Sequence, residues 1–189
     1  MSTLKVNKII PTAGVPTGGG GGITQIVTVS DSVRETSGSV SMSTVNTYYD
    51  TPFAVTITPT SSSNKILLMG HVFGEFTNDD LYFMWRIKRA ISGGSTTNIQ
   101  APAAGSRAVG ISVPPSGFYN SNSDSTPTAM VWSGLLDSPS TTSAITYTFQ
   151  VNATQNSNST FYYNRTVNSG DAIDYERALS WITAMEVSA

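Results

Sequence analysis

The sequence contains no cysteine and a single histidine, His71. The lack of cysteine excludes disulfide bonds, thiolate catalysis and zinc sites built on cysteine. One histidine argues against a histidine-based catalytic or metal-binding constellation. Acidic residues fall in turn-like segments. The densest of these, 171–176, has three carboxylates that could hold calcium, although it lacks the ligand spacing of a calcium loop and Arg177 adjoins it. We therefore expect no enzyme activity, no cofactor and no bound metal.

Charged residues are also scarce, at 12% of the chain, and the net charge is −2. No overall field attracts nucleic acid or an anionic membrane. No segment has 18 consecutive apolar residues, so no membrane insertion is expected. The chain is instead rich in hydroxyl groups, with 27 serine and 25 threonine residues. The first residues lack the pattern of a secretory signal, which predicts synthesis in a cytoplasm, while the polar surface suits work outside a cell.

Five consecutive glycines, 18–22, separate an N-terminal arm, residues 1–22, from a body, residues 23–189. Glycine runs have no preferred backbone conformation, so this one predicts a hinge. Chain ends fray by default, but the alternation of apolar and polar residues at the start of the arm favours an extended anchor that adds to a larger assembly. The predicted anchor side chains are Leu4, Val6, Ile9 and Ile10.

The body has the period of β-structure. Apolar and polar residues alternate in 53–58, 81–88 and 145–154, as is typical of half-buried strands. Two further segments, 65–73 and 179–187, are apolar on both faces, which predicts central strands or strands that face a neighbouring subunit. His71 lies in the first of these, where a packed core or interface residue is expected.

Turn residues separate many short runs, and no window has a helical period. About ten strands of this kind predict an all-β fold, an antiparallel β-sandwich or jelly roll. The predicted strands are 23–30, 39–48, 52–58, 64–74, 81–90, 107–113, 128–137, 144–154, 159–167 and 178–188.

The longest predicted loop, 114–127, is polar and contains Phe118 and Tyr119. A loop of this length is either without fixed structure or functional, and these two aromatics define a possible receptor loop. Exposed aromatics stack on sugar rings, and Tyr48 and Tyr49 are further candidates, each of which also fits a purely structural role. Three Asn-X-Ser/Thr patterns, at Asn152, Asn158 and Asn164, are interpreted as unmodified because such patterns arise by chance in this composition.

Several segments resemble small fibre-type virion proteins of marine tailed phages such as cyanophages. They lie at both ends of the chain and through much of its body: 2–9, 55–67, 136–143 followed by Tyr147, 163–165 and 180–187. The resemblance implies a non-enzymatic, homotrimeric β-sandwich that is fixed to a phage particle by its N-terminus. It also implies a virion location, with further copies of the chain and other virion proteins as partners.

Other functions remain open at this point. A lectin-like jelly roll would bind a host surface glycan, and a capsid decoration protein would share the fold and the virion location. A polysaccharide-cleaving enzyme would need two carboxylates about 5–10 Å apart, and 189 residues leave little room for its cleft.

Overall fold

The computed structural model describes residues 22–77, 82–115, 125–155 and 157–188. These ranges form ten strands and one short helix, α1 (Asp31–Glu35). Within them, no helix is long and apolar enough to cross a membrane. The strands are β1 (Ile23–Thr28), β2 (Gly38–Met42), β3 (Tyr48–Ile57), β4 (Lys65–Phe76), β5 (Phe83–Ile91), β6 (Thr96–Ile99), β7 (Thr128–Asp137), β8 (Ile145–Ala153), β9 (Ser159–Tyr163) and β10 (Trp181–Val187).

The strands form two antiparallel sheets. Sheet A has the order β1-β10-β4-β9-β2, with β7 also paired to β4, and sheet B has the order β3-β8-β5-β6. Side chains from both sheets meet in one buried apolar core. The predicted antiparallel β-sandwich of about ten strands is therefore confirmed.

The central strand of sheet A is β4, which is 12 residues long. Gly74 of β4 lies opposite both Thr128 of β7 and Tyr163 of β9, so β7 and β9 must occupy different edges of β4. β10 pairs with the earlier part of β4 on the edge that it shares with β9. Segment 65–73 therefore lies in a central strand of sheet A, as one of its two predicted alternatives required.

The two ends of the sandwich carry different features. Lys65, the first residue of β4, lies opposite Val187, which in turn lies opposite Ile23. The chain therefore enters sheet A at this end, which we call the arm end. Thr128, the first residue of β7, pairs near the other end of β4, so the loop before β7 joins the body at what we call the far end. At about 3.4 Å per residue, β4 separates the two ends by roughly 40 Å.

The inward-facing apolar side chains of sheet B fill the core, as the alternating pattern predicted. Aromatic rings then join the two sheets: Trp132 of β7 has its ring centroid 5.1 Å from that of Trp85 and 5.4 Å from that of Phe149. Stacked rings of this size contribute large buried apolar areas. The buried residues of the alternating segments are Phe53, Val55, Ile57, Phe83, Trp85, Ile87, Ile145, Tyr147, Phe149, Val151 and Ala153.

Gly70 of β4 provides the space for the Trp132 ring. A Cβ atom at Gly70 would lie 2.0 Å from Cζ2 and 2.2 Å from Cη2 of that ring. The Trp132 Nε1 donor is buried and has no hydrogen-bond partner among the described residues. The glycine is therefore required by the close approach of an aromatic ring to the β4 backbone.

Two parts of the strand prediction are corrected by the structure. The strand predicted at 107–113 is wrong, because in this segment only Ser112 forms a bridge, an isolated one with Trp85. Conversely, β6 and α1 were not predicted. They contain 4 and 5 residues, which is too few to produce a periodic pattern.

A buried carboxylate, Glu186 of β10, ties three segments together at the arm end. Its Oε2 accepts a hydrogen bond from Gln25 Nε2 of β1 at 2.6 Å. Its Oε1 accepts from Thr60 N at 2.7 Å, from Thr60 Oγ1 at 2.9 Å and from Asn64 Nδ2 at 2.7 Å. Burial alone would raise the pKa of Glu186, but the hydrogen bonds from Asn64, Gln25 and Thr60 outweigh it and lower the pKa to about 2.

Stability is expected to fall on acidification through the titration of Glu186. Because its folded pKa of about 2 lies below the ordinary 4.5, the carboxylate contributes stability that is complete above pH 4.5 and is lost as the pH falls towards 2. Glu186→Gln should lower the free energy of unfolding at neutral pH by about 1–3 kcal/mol, since Gln25 loses its acceptor. In denaturant titrations between pH 4.5 and 2, the free energy of unfolding of the same variant should depend less on pH than that of the unmodified protein.

Glu35→Gln provides the control for this measurement, because Glu35 is exposed at the end of α1. Its pH profile should follow that of the unmodified protein. An unchanged acid limb in Glu186→Gln would contradict the assignment of the acid sensitivity to Glu186.

Candidate functional site

The face of sheet A that points away from the core is mainly apolar across four adjacent strands, with Thr28 and Thr183 hydrogen-bonded to each other within it. Ile66, Leu68 and Val72 of β4 are buried in the core, so the alternate residues of β4 point to the other side. The cross-strand partners of these alternate residues lie on the same side. We call this surface the outer face: Ile23, Ile26, Leu67, Met69, His71, Phe73, Val131, Leu136, Trp181, Met185 and Val187.

Much of the outer face is accessible to solvent. The exposed fractions are 59% for Ile26, 63% for Val131 and 52% for Leu136. Four strands about 4.8 Å apart and seven residues long cover roughly 450 Å² in projection. Exposed apolar patches larger than a few hundred Å² mark interaction sites in soluble proteins. The outer face is therefore a candidate contact surface.

The outer face carries no acidic or basic strand residue between the two ends of β4. Lys65 lies at the arm end and is exposed. At the far end the buried carboxylate of Glu75 accepts hydrogen bonds from Thr126 N at 2.7 Å and from Val167 N at 2.6 Å. Glu75 thus fixes the loops that close the far end, and the surface between is uncharged apart from any charge on His71.

His71 lies on the outer face and not in the core. It sits opposite Trp181 of β10 and Val131 of β7, and its Nδ1 atom is 3.0 Å from the carbonyl oxygen of Leu179. The structure therefore excludes a core position for His71. The side chain lies on the surface of the single chain, and the interface position stays a prediction. The backbone carbonyl orients the ring within the apolar surface.

The outer side of sheet B is mainly polar and carries a network of side-chain hydrogen bonds around β8. The outward residues of β8 were expected to make it a half-buried strand, but Gln150 and Asn152 are 5% and 0% exposed. β8 is central in sheet B, and Arg86 of β5 covers it by donating from Nε to Gln150 Oε1 at 2.7 Å. Gln150 Nε2 donates to Asp50 Oδ1 at 2.7 Å, and Lys88 forms an ion pair with Asp50. Long side chains from the neighbouring strands therefore bury both faces of β8.

A cleft opens on this polar side at the far end of the sandwich. Tyr48 is its central side chain, with the Arg86 guanidinium carbon 3.7 Å from the ring centroid. Burial raises the pKa of Tyr48, so the phenol stays protonated and its Oη donates to Val109 O at 2.7 Å. The cleft has a volume of about 420 Å³ and is lined by Asn46, Thr47, Tyr48, Arg86, Arg107, Ala108 and Val109.

One wall of the cleft is a loop held by backbone hydrogen bonds. Ile111 N donates to Trp85 O at 2.8 Å, and Trp85 N donates to Ser112 O at 3.0 Å. A Cβ atom at Gly110 would lie 2.7 Å from both Trp85 O and Tyr48 Oη, so glycine allows the loop to approach β5 this closely. The wall is therefore part of the folded body.

The residues predicted to act as anchor and receptor contacts lie outside the described residues. This applies to Leu4, Val6, Ile9 and Ile10 of the arm and to Phe118 and Tyr119 of the loop. Of the two other aromatic candidates, Tyr48 lies in the cleft. Tyr49 packs against the core, and its Oη accepts a hydrogen bond from Thr44 N at 3.0 Å, so its role is structural.

Two of the three Asn-X-Ser/Thr patterns are inaccessible. Asn152 and Asn164 are 0% and 2% exposed. Asn164 Nδ2 donates to the carbonyl oxygens of Arg34 and Thr36, both at 2.8 Å, while its Oδ1 accepts from Ser180 Oγ. The side chains of these two asparagines link neighbouring segments through hydrogen bonds. Their burial agrees with the prediction that they are unmodified.

No group of three or more potential metal ligands occurs within the described ranges. The acidic segment 171–176 is largely exposed, and Asp174 contributes its backbone oxygen to a hydrogen bond from Ser125 Oγ. Neither sheet brings His71 into hydrogen-bond contact with a described carboxylate or hydroxyl group. The outer face and the cleft are accordingly the two surfaces from which a function can be argued.

Comparisons with known proteins leave the family of the chain open. No protein-family model matches the chain, and no curated protein matches it in sequence. A solved structure of the infectious bursal disease virus Gx strain matches 86% of this chain at 11% identity, with a TM-score of 0.32. This chain spans 40% of the length of that viral chain. A likeness at this identity and TM-score assigns no function.

Proposed function

We propose that the chain is a structural virion protein of the fibre type, a homotrimer held together by the outer face and fixed to a phage particle by the N-terminal arm. The outer face is the observation that carries the proposal. Its exposed Ile26, Val131 and Leu136 would leave water if another apolar surface covered them, which favours association. Interfaces of obligate oligomers have this character of a core cut in half.

A second copy of the chain is the partner that best fits the outer face. The surface carries no fixed charge along its strands, so it offers no ion pairs to a charged partner. The same surface on another copy is equally apolar and of the same size. The number of three copies comes from the resemblance to phage fibre proteins, which also supplies the location on the particle.

The point at which the chain enters sheet A supports this arrangement. Ile23 begins β1 at the arm end and belongs to the outer face itself. Parallel copies that pack through this face around a threefold axis would bring their N-terminal ends together. The cleft and the described residue Thr128 after the loop before β7 would lie toward the far end, away from the attachment point. This polarity suits a protein that is anchored at one end and exposed at the other.

Val131→Lys is expected to convert the trimer to a monomer. Val131 is 63% exposed within the single chain, so the folded body tolerates lysine there. In the proposed interface the same change buries unpaired charges, which costs several kcal/mol. Light scattering at micromolar concentration should give three chains for the unmodified protein and one for the variant, and circular dichroism should show that the variant stays folded.

Val113→Lys is the matched control, since Val113 is 53% exposed and follows the bridge between Ser112 and β5 of sheet B. It should remain trimeric. A monomeric unmodified protein would contradict the proposed interface, and so would a Val131→Lys variant that remains trimeric.

A further inference from the structure

The cleft at the far end concentrates positive charge in a chain that has only ten lysine and arginine residues. Arg86 and Arg107 both line it. Arg107 is exposed, and its side chain has no partner among the described residues. Lys88 is nearby on the same strand as Arg86 but is paired with Asp50. Neither Arg86 nor Arg107 forms an ion pair within the described residues, although the charge of Asp50 also acts on Arg86.

The two guanidinium groups are arranged differently. Arg86 is held in place: its Nε donates to Gln150 and its Nη1 donates to Gln100 Oε1 at 2.6 Å. Its Nη2 has no hydrogen bond among the described residues. Arg107 stands on the loop wall opposite, with its backbone N bonded to Ala104 O. A fixed cation and a free one thus share one open cleft.

The remaining lining is suited to hydroxyl groups. Asn46 and Thr47 supply amide and hydroxyl side chains beside Tyr48. Below them, Asn152 donates to Asn46 Oδ1 at 3.3 Å, while the buried Oδ1 of Asn152 has no partner among the described residues. A volume of about 420 Å³ lies within the range of sites for small ligands.

From these observations we infer that the cleft binds an acidic saccharide, with Arg86 and Arg107 contacting its carboxylate or sulfate group and Asn46 and Thr47 contacting its hydroxyl groups. Arginine is the residue that suits bidentate recognition of planar and tetrahedral anions. The net charge of −2 and the small number of cations argue against a long polyanion such as nucleic acid. A role of this binding in host attachment rests on the proposed function, whereas the binding itself does not.

The test is titration calorimetry of the full chain with three oligosaccharides of equal length: an oligouronate, a sulfated oligosaccharide and a neutral glucan. We expect saturable binding of an acidic ligand, one site per chain, that weakens as salt is raised, and no binding of the glucan. Preference between the two acidic ligands identifies the anionic group. Arg107→Gln should reduce the affinity at least about tenfold, because a charge-assisted contact is removed.

Arg177→Gln is the matched control, since Arg177 is also exposed but lies between β9 and β10, outside the cleft lining. It should bind as the unmodified protein does. Val131→Lys should also keep its affinity per chain, because Val131 lies on the other sheet, so loss of the trimer and loss of binding are separate results. Absence of binding, equal binding of the glucan, or full affinity in Arg107→Gln would each overturn the inference.

Discussion

Gly70→Ala is expected to destabilise the body by about 3 kcal/mol and to lower its midpoint of thermal unfolding by about 6–12 °C. The added methyl group would lie 2.0 Å from the Trp132 ring, which is packed against both Trp85 and Phe149. Overpacking of this kind is relieved only by shifts of the β4 backbone, which also carries the pairing with β7 and β10.

The double variant Gly70→Ala with Trp132→Phe tests the cause. Phenylalanine lacks the ring atoms that the new methyl group would meet, so the double variant should be more stable than the sum of the single effects predicts. Gly22→Ala is the control, because a Cβ atom there would meet nothing within 4 Å. Additive effects of the two single substitutions would contradict the steric explanation.

Deletion of residues 2–17 is expected to abolish incorporation into phage particles while leaving the body folded. The buried apolar core extends from Val29 to Ala184, so the body has its own core without the arm. Each apolar side chain of the arm that is buried in a partner contributes roughly 1.5–3 kcal/mol, and four per chain in three chains would hold the fibre in place. Thermal unfolding and particle composition are the two measurements.

Substitutions within the arm sharpen this prediction. Leu4→Asp combined with Val6→Asp should also prevent incorporation, whereas Lys5→Ser, at the alternate position, should not. Normal copy number on particles after the deletion would show that attachment lies elsewhere in the chain.

Periodicity predicted most of the sandwich because the inward residues of β3, β5 and β8 are nearly all apolar. The same signal failed at 107–113, where Val109, Ile111 and Val113 alternate with small or polar residues but the segment forms one bridge. Alternation of apolar and polar residues indicates an extended backbone with one side buried. It does not indicate whether a neighbouring strand is available for pairing.

The surfaces were harder to predict than the strands. The apolar outer side of 65–73 was visible in the sequence, and the structure adds that β1, β7 and β10 extend it into one face. The cleft was not predicted, although Tyr48 was named as an aromatic candidate. Arg86 and Arg107 come together only because the loop after β6 returns along β5, and no local pattern encodes that return.

The position of β10 within sheet A has a consequence for synthesis of the chain. This strand, residues 181–187, lies between β1 and β4 and not at an edge. Contacts between strands so far apart in sequence form late, because the entropy of closing a long loop must be overcome first. On the ribosome β1 therefore has no strand to pair with, and residues 65–71 of β4 lack one of their two neighbouring strands, until residue 187 has emerged. Until then a nascent chain has no complete outer face. Under the proposed function, copies associate only once translation has passed β10, which protects assembly from truncated products.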